Sequence, residues 1–262
     1  MLPYIRAPIL YLDRRSKEIA VRVALISDIH ANEIALLAVL DDIEKRGVDR
    51  IVCLGDVATL GPRPHAVIAI LSGLGCTCIM GNHDEFLIDA ACVADYSSQG
   101  PIVASVEWCR RRLAQEERDF LTGFARAADI ALDESTSLLV FHGSPHSNTT
   151  DILATTSADR LDEVLAGERA AVMAGGHTHL QMLRQHRGIL LVNPGSVGLP
   201  FREFSAGRPP QLMAHAEYAT VEAQDGRIEV GLHRVALDAR RLREAARESD
   251  LPLSNYLVQQ YT

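Results

Sequence analysis

The chain predicts an α/β fold in which a sheet is covered by helices on both faces, and three observations lead there. Short apolar runs at residues 23–27, 51–54, 76–80, 138–141 and 171–174 are continuous rather than alternating, the pattern of strands buried on both faces. Segments with helical spacing lie between several of these runs. Each run ends in a short polar block, and the carboxyl ends of strands are where open α/β sheets form their clefts.

Residues 1–20 contain Pro3, Pro8 and the Arg14-Arg15 pair and read as an N-terminal arm. They lack the apolar stretch with a cleavage site that a signal peptide needs. Residues 21–262 read as a single domain. Its first run leads into a helix over 33–45, ended by Gly47. Residues 85–135 read as a helical, cap-like segment in which Trp108 and Leu113 sit among Glu107, Arg110, Arg111, Arg112, Glu116, Glu117 and Arg118. Charge at that density implies a solvated amphipathic helix, with a cap over the cleft as the functional alternative. After Gly198, Pro200, Pro209 and Pro210 mark a loop around Arg202 and Arg208. Residues 215–222 and 227–235 flank Asp225-Gly226, a two-residue hairpin signal, and a helix over 238–248 closes the domain. This tail is expected to form a second sheet packed behind the first.

The polar blocks carry the chemistry. They are Asp28-Ile29-His30, Gly55-Asp56, Gly81-Asn82-His83-Asp84, His142-Gly143 and Gly176-His177-Thr178-His179. Carboxylate, imidazole and amide oxygen are the donors that divalent metals take. Turn chemistry alone explains Gly55 and Gly81, but not so many histidines arriving at one sheet edge. The remaining histidines, His65, His146, His186, His215 and His233, are expected at the surface or in loops. None of the cysteines lies in a block, which weighs against a thiolate zinc site.

In order and approximate spacing these blocks resemble those of the calcineurin-like metallophosphoesterase superfamily, from about residue 21 to Gly198. The stretch Asn193-Pro194-Gly195-Ser196-Val197-Gly198 adds to the match. Within the superfamily the chain is most similar to the small bacterial phosphodiesterase branch, with Gly61-Pro62 soon after Gly55-Asp56. The protein Ser/Thr phosphatase branch carries Asp-Arg-Gly there, where this chain has Val57-Ala58-Thr59-Leu60-Gly61. Ala31 stands where many relatives have glycine.

The resemblance implies a four-layer α/β/β/α sandwich of two mixed sheets with outer helices. It also implies two divalent transition-metal ions, one held by Asp28, His30, Asp56 and His179, the other by Asp56, Asn82, His142 and His177, with Asp56 bridging. Mn²⁺, Fe²⁺ or Fe³⁺, Co²⁺, Ni²⁺ and Zn²⁺ all suit such donors. Two cations roughly 3.5–4 Å apart can clamp a phosphoryl group and turn a bridging water into a hydroxide nucleophile. His83 is implied to act on the phosphate and the leaving oxygen, with Asp84 orienting and charging it. Asn82, His83, Arg63 and Arg202 are candidate substrate contacts.

Composition bounds the rest. A 262-residue chain has room for a sizeable core. A net charge of −8 disfavours duplex nucleic acid as a partner but not a small nucleotide. The odd cysteine count of five fits buried, reduced thiols, and Cys76 and Cys78 are expected to face opposite sides of their strand. No run is long enough to cross a bilayer. The expectation is a cytoplasmic, metal-dependent phosphoesterase, first of all a phosphodiesterase on small diesters or cyclic nucleotides. A phosphomonoesterase or protein phosphatase is the alternative, and a non-catalytic metal-binding scaffold stands behind both. Oligomeric state is not legible.

Overall fold

The computed structural model describes residues 21–96, 100–205 and 207–261. The expected N-terminal arm lies outside them. In chain order the elements are β1 (Val23–Ile26), α1 (Glu33–Arg46), β2 (Arg50–Cys53), α2 (Pro64–Leu74), β3 (Thr77–Cys78), α3 (Asn82–Ile88), α4 (Ala91–Tyr96), α5 (Gly100–Arg110), α6 (Gln115–Thr122), β4 (Ala127–Ala131), β5 (Ser137–Phe141), α7 (Ala158–Val164), β6 (Val172–Ala174), β7 (Met182–His186), β8 (Ile189–Asn193), β9 (His215–Gln224), β10 (Arg227–Ala236), α8 (Ala239–Glu248) and α9 (Ser254–Gln260).

They form two five-stranded sheets, ordered β10-β9-β1-β2-β3 and β4-β5-β6-β8-β7. Each is mixed. β1, β2 and β3 run parallel while β9 lies antiparallel to β1, and β5, β6 and β8 run parallel with antiparallel β4 and β7 at the edges. The alternation along β1 shows why the strands read as continuous apolar runs. Val23 and Leu25 join Val52, Leu54, Val140, Val172 and Val192 in a core between the sheets. Ala24 and Ile26 face the other way, with Leu36, Val39 and Ile43 of α1. On the far side of the second sheet, Leu139, Phe141 and Met173 pack on Leu161 and Val164 of α7. The layers are therefore α/β/β/α, and each fully buried Leu or Val contributes about 1.5–3 kcal/mol of transfer free energy.

Local signals hold at several elements. Asn32 caps α1 by accepting the Ala35 N–H, and Gly47 ends it at φ 65°. The Asp225-Gly226 turn joins β9 to β10 with φ of 51° and 75°, the two positive values a type I′ turn needs. Asp238 caps α8 through the N–H groups of Arg240 and Arg241.

Three expectations are corrected. The C-terminal hairpin does not form a second sheet: β9 pairs with β1 (Val23↔Val221, Leu25↔Ala219) and so extends the first. The second sheet comes from residues 127–193, including a β7–β8 hairpin without a strong turn signal. The 85–135 segment is helical only through α6, after which β4 pairs with β5. Its buried Val106, Trp108, Cys109, Leu113 and Leu121 belong to the same cluster as α1, α2 and the C-terminal helices. The Trp108 indole donates to Asp250, and the Cys109 thiol to the carbonyl of Ala58. Finally, Cys76 and Cys78 face the same way, their sulfurs 3.8 Å apart, because residues two apart on a strand share a face.

Candidate metal centre

The parallel strands of both sheets deliver their polar blocks to one seam. Asp28 and His30 follow β1, Asp56 follows β2, and Asn82 and His83 open α3 after β3. His142 follows β5, and His177 and His179 follow β6. The turns that carry them are strained. Asp28, His30, Asp56, His177 and His179 all have positive φ, from 47° to 68°. Each such residue costs roughly 1–2 kcal/mol, and strain of this kind concentrates at functional sites.

Main-chain hydrogen bonds over-determine these turns. Asp28 N–H donates to Gly55 O, His30 N–H to Asp56 O, and Gly198 N–H to Asp28 O. The Ser196 hydroxyl donates to Asp28 O at 2.7 Å, and the Asn193 amide to Gly176 O at 2.7 Å. The closeness of the loops dictates glycine twice. A Cβ on Gly81 would lie 2.0 Å from Asp56 Oδ1, and one on Gly176 would lie 1.9 Å from the Ser27 hydroxyl.

Both carboxylates are buried and held by one oxygen. Asp28 Oδ2 accepts the His177 N–H at 3.1 Å, and Asp56 Oδ1 accepts the His83 N–H at 2.8 Å. The other oxygens face the imidazoles. Asp28 Oδ1 stands 3.3 Å from His179 Nε2 and 4.0 Å from both His30 Nε2 and His142 Nε2. Asp56 Oδ2 stands 3.8 Å from His30 Nε2 and 3.4 Å from His142 Nε2. Buried Asp28 Oδ1 has no hydrogen-bond partner.

The rings are aimed from behind. His142 Nδ1 donates to Leu54 O and His179 Nδ1 to Leu199 O, both at 2.7 Å. A carbonyl can only accept, so each neutral ring keeps its Nε2 lone pair for the seam. Phe201 stacks on His179 at 4.2 Å. His177 is turned the other way: Nδ1 lies 3.0 Å from Asn82 Oδ1, which is itself 3.1 Å from His142 Nε2, and Nε2 lies 3.5 Å from Asp151.

Charge is finely divided here. Burial would raise the Asp28 carboxyl, but the neighbouring His179 and His142 hold it at about 2, and Asp56 falls well below the usual range against the same burial. Burial would depress His142, yet Asp56 and Asp28 lift it to about 10, and His179 also rises. Burial and neighbouring imidazoles push His30 to about 3 and His177 to about 4. An acid-rich shell with orphaned lone pairs fits a cation. Loading it would displace the proton on His142.

By distance alone, Asp28, His30 and His179 form one group of potential ligands, and Asp28, Asp56 and His142 another. The seven sequence-predicted ligand residues are thus brought together, with Asn82 joined through His142 and His177. His83 lies beside them, edge-on to His30 at 5.2 Å. Arg63 is tied to Glu33 at 3.0 Å and stands 3.6 Å from Glu248, and exposed Arg202 donates to Gln211.

Asp84 is held by main-chain donors. Its two oxygens accept the N–H groups of Asp56 at 2.7 Å, Val57 at 2.9 Å and Gly81 at 3.0 Å, so it braces the loops. As the third residue of α3 it reaches back over the helix start, the geometry of a capping carboxylate. Burial and the Asp56 charge lift its carboxyl to about 7 against those three amides. Among the other histidines, His186 is buried against Asp162 instead of exposed. Sequence reading missed Phe201, Asp151 and the carbonyls of Leu54 and Leu199. Main-chain acceptors leave no trace in side-chain identity.

Residues 21–226 match the calcineurin-like phosphoesterase superfamily domain. An uncharacterized protein of Methanocaldococcus jannaschii, MJ0912, is 27% identical over 237 residues, covering 88% of this chain and 93% of its own. Among solved structures, a metallophosphoesterase from Sphaerobacter thermophilus superposes with a TM-score of 0.70 at 24% identity, over 93% of this chain and 98% of that one. A hypothetical protein, PH1004, from Pyrococcus horikoshii OT3 gives 0.74 at 18% identity, over 91% and 96%. These two likenesses establish the fold, two mixed sheets between helices.

The Asp84 brace is testable without any metal. In Asp84→Ala three buried amides lose their acceptor, and an unsatisfied buried donor costs about 1–3 kcal/mol. Denaturant unfolding of the chelator-treated protein should show a loss of about 3 kcal/mol or more, summing those donors at the low end. Unchanged stability with impaired turnover would instead return Asp84 to the service of His83.

Proposed function

This chain belongs to the calcineurin-like phosphoesterase superfamily, and on that premise we propose that it is a dinuclear-metal phosphodiesterase acting on small phosphate diesters or cyclic nucleotides. The observation that carries the reading is Asp56 Oδ2, which faces His30 on one side and His142 on the other while Oδ1 is tied to a backbone amide. An oxygen placed so can serve two ions. Asp28, His30, Asp56 and His179 would hold one, and Asp56, Asn82, His142 and His177 the other. Divalent ions bound there neutralise phosphoryl oxygens and supply an activated water, so no Ser or Cys nucleophile is needed.

The chain's own groups do the rest. Asn82 Nδ2 is buried without a hydrogen-bond partner and is the donor a phosphoryl oxygen would take. His83, edge-on to His30 beside the seam and with its pKa pushed down by burial, would give a proton to the leaving oxygen. The diester preference rests on charge. Asp28 and Asp56 dominate the seam and Asp151 flanks it, while Arg63 is engaged by carboxylates. A dianionic monoester would profit from an added cation that a monoanionic diester does not need. Mn²⁺, Fe²⁺ or Fe³⁺, Co²⁺, Ni²⁺ and Zn²⁺ all match the donor set. The free thiols of all five cysteines support a reducing, cytoplasmic setting. No helix among the described residues is long and apolar enough to cross a membrane.

Two experiments test this reading. With Mn²⁺ added, kcat/KM should be higher for bis-p-nitrophenyl phosphate or a 2′,3′-cyclic nucleotide than for p-nitrophenyl phosphate; a clear preference for monoesters or phosphopeptides would overturn the diesterase reading. His83→Ala should keep its metal and lose about 10²–10⁴-fold in turnover. The loss should be greatest for poor alkoxide leaving groups. Metal lost together with activity would make His83 a ligand instead.

A further inference from the structure

The outward nitrogen of His177 has a different kind of neighbour from those of His142 and His179. Those two rings are braced from behind by main-chain carbonyls that the sheets hold in place. His177, with Nδ1 turned to Asn82, presents Nε2 to the carboxylate of Asp151 at 3.5 Å. Asp151 lies in the loop between β5 and α7, its side chain 48% exposed, and among the described residues this ion pair is the only hydrogen bond or ion pair recorded for it. Its charge is therefore not spent elsewhere, and at 3.5 Å it faces Nε2 as an ion-pair partner.

A carboxylate on the outer nitrogen of a ligating histidine does two things. It fixes the tautomer and ring direction, and it makes the inner nitrogen more basic. For His177 the first effect matters most, because the carboxylate that faces its Nε2 comes from a loop and not from a sheet. The neighbouring chain is anchored too: Asn148 of the same loop donates to Glu85 of α3 at 2.9 Å, linking this loop to the helix that carries Asn82.

We propose that Asp151 is a positioning residue that holds the Nε2–H of His177 and thereby directs Nδ1 to the ion shared with Asn82 and His142. The proposal rests on the two-metal reading above. It makes retention of that one ion depend on a half-exposed loop residue, whereas the ion beside His30 and His179 has only sheet-borne ligands.

The test is titration of metal-free protein with Mn²⁺ and with Zn²⁺, followed by calorimetry or chelator competition, on wild type, Asp151→Asn and Asp151→Glu. Asp151→Asn should weaken one of two ions by about 10–100-fold and leave the other unchanged, the range for loss of such a partner. Asp151→Glu should recover most of that loss, and the melting temperature of both metal-free variants should match wild type. Two ions bound by Asp151→Asn with wild-type affinity would refute the proposal alone. Equal loss of both ions with a lowered metal-free melting temperature would also refute it, assigning Asp151 to loop folding. A wild type that binds neither ion would refute the metal reading beneath it.

Discussion

Everything at the seam depends on two buried carboxylates that share a small space. Asp28 and Asp56 each fasten one oxygen to a backbone amide and turn the other toward the imidazoles. Two like charges cannot be buried together without compensation, and the effective penalty for an uncompensated buried ion is several kcal/mol. The imidazoles of His142 and His179, whose pKa these carboxylates raise, offset part of it, and divalent ions would do so more fully. The strain falls on the donors themselves, since Asp28, His30, Asp56, His177 and His179 all sit in the left-handed region where the chain leaves the strands.

The sandwich makes this arrangement affordable in structural terms. Neither sheet alone carries the donors: Asp28, Asp56 and Asn82 come from the first, and His142, His177 and His179 from the second. The apolar layer between them, with Leu25, Leu54, Val140 and Val192, sets their separation. Ser196 then ties the loops across the seam at Asp28, while Asn193 ties loops of the second sheet and Asp84 loops of the first. Activity and packing are in this sense one problem, since a shift of the sheets would move half of the donors against the other half.

Much of the site is legible in sequence because its chemistry uses side chains of restricted type at strand ends. The blocks around Asp28, Asp56, Asn82, His142 and His177 needed no knowledge of which sheet they came from. Long-range pairing was less accessible. Nothing local to residues 215–236 says that Val221 lies beside Val23, so the sheet that the hairpin joins is not legible there. The bracing role of Asp84 is not legible in sequence, because the three amides it accepts from belong to the main chain. The shared side of Cys76 and Cys78, by contrast, follows from the two-residue period of a strand. Asp151 sits in an irregular loop, and no spacing marks it.

The central claim is that Asp56 lies between two ions. Crystals grown with Mn²⁺ and measured for anomalous scattering test it most directly. The account predicts two peaks roughly 3.5–4 Å apart, one beside His30 and His179 and one beside His142 and His177, with Asp56 Oδ2 between them. A single peak, or peaks that do not touch Asp56, would contradict it.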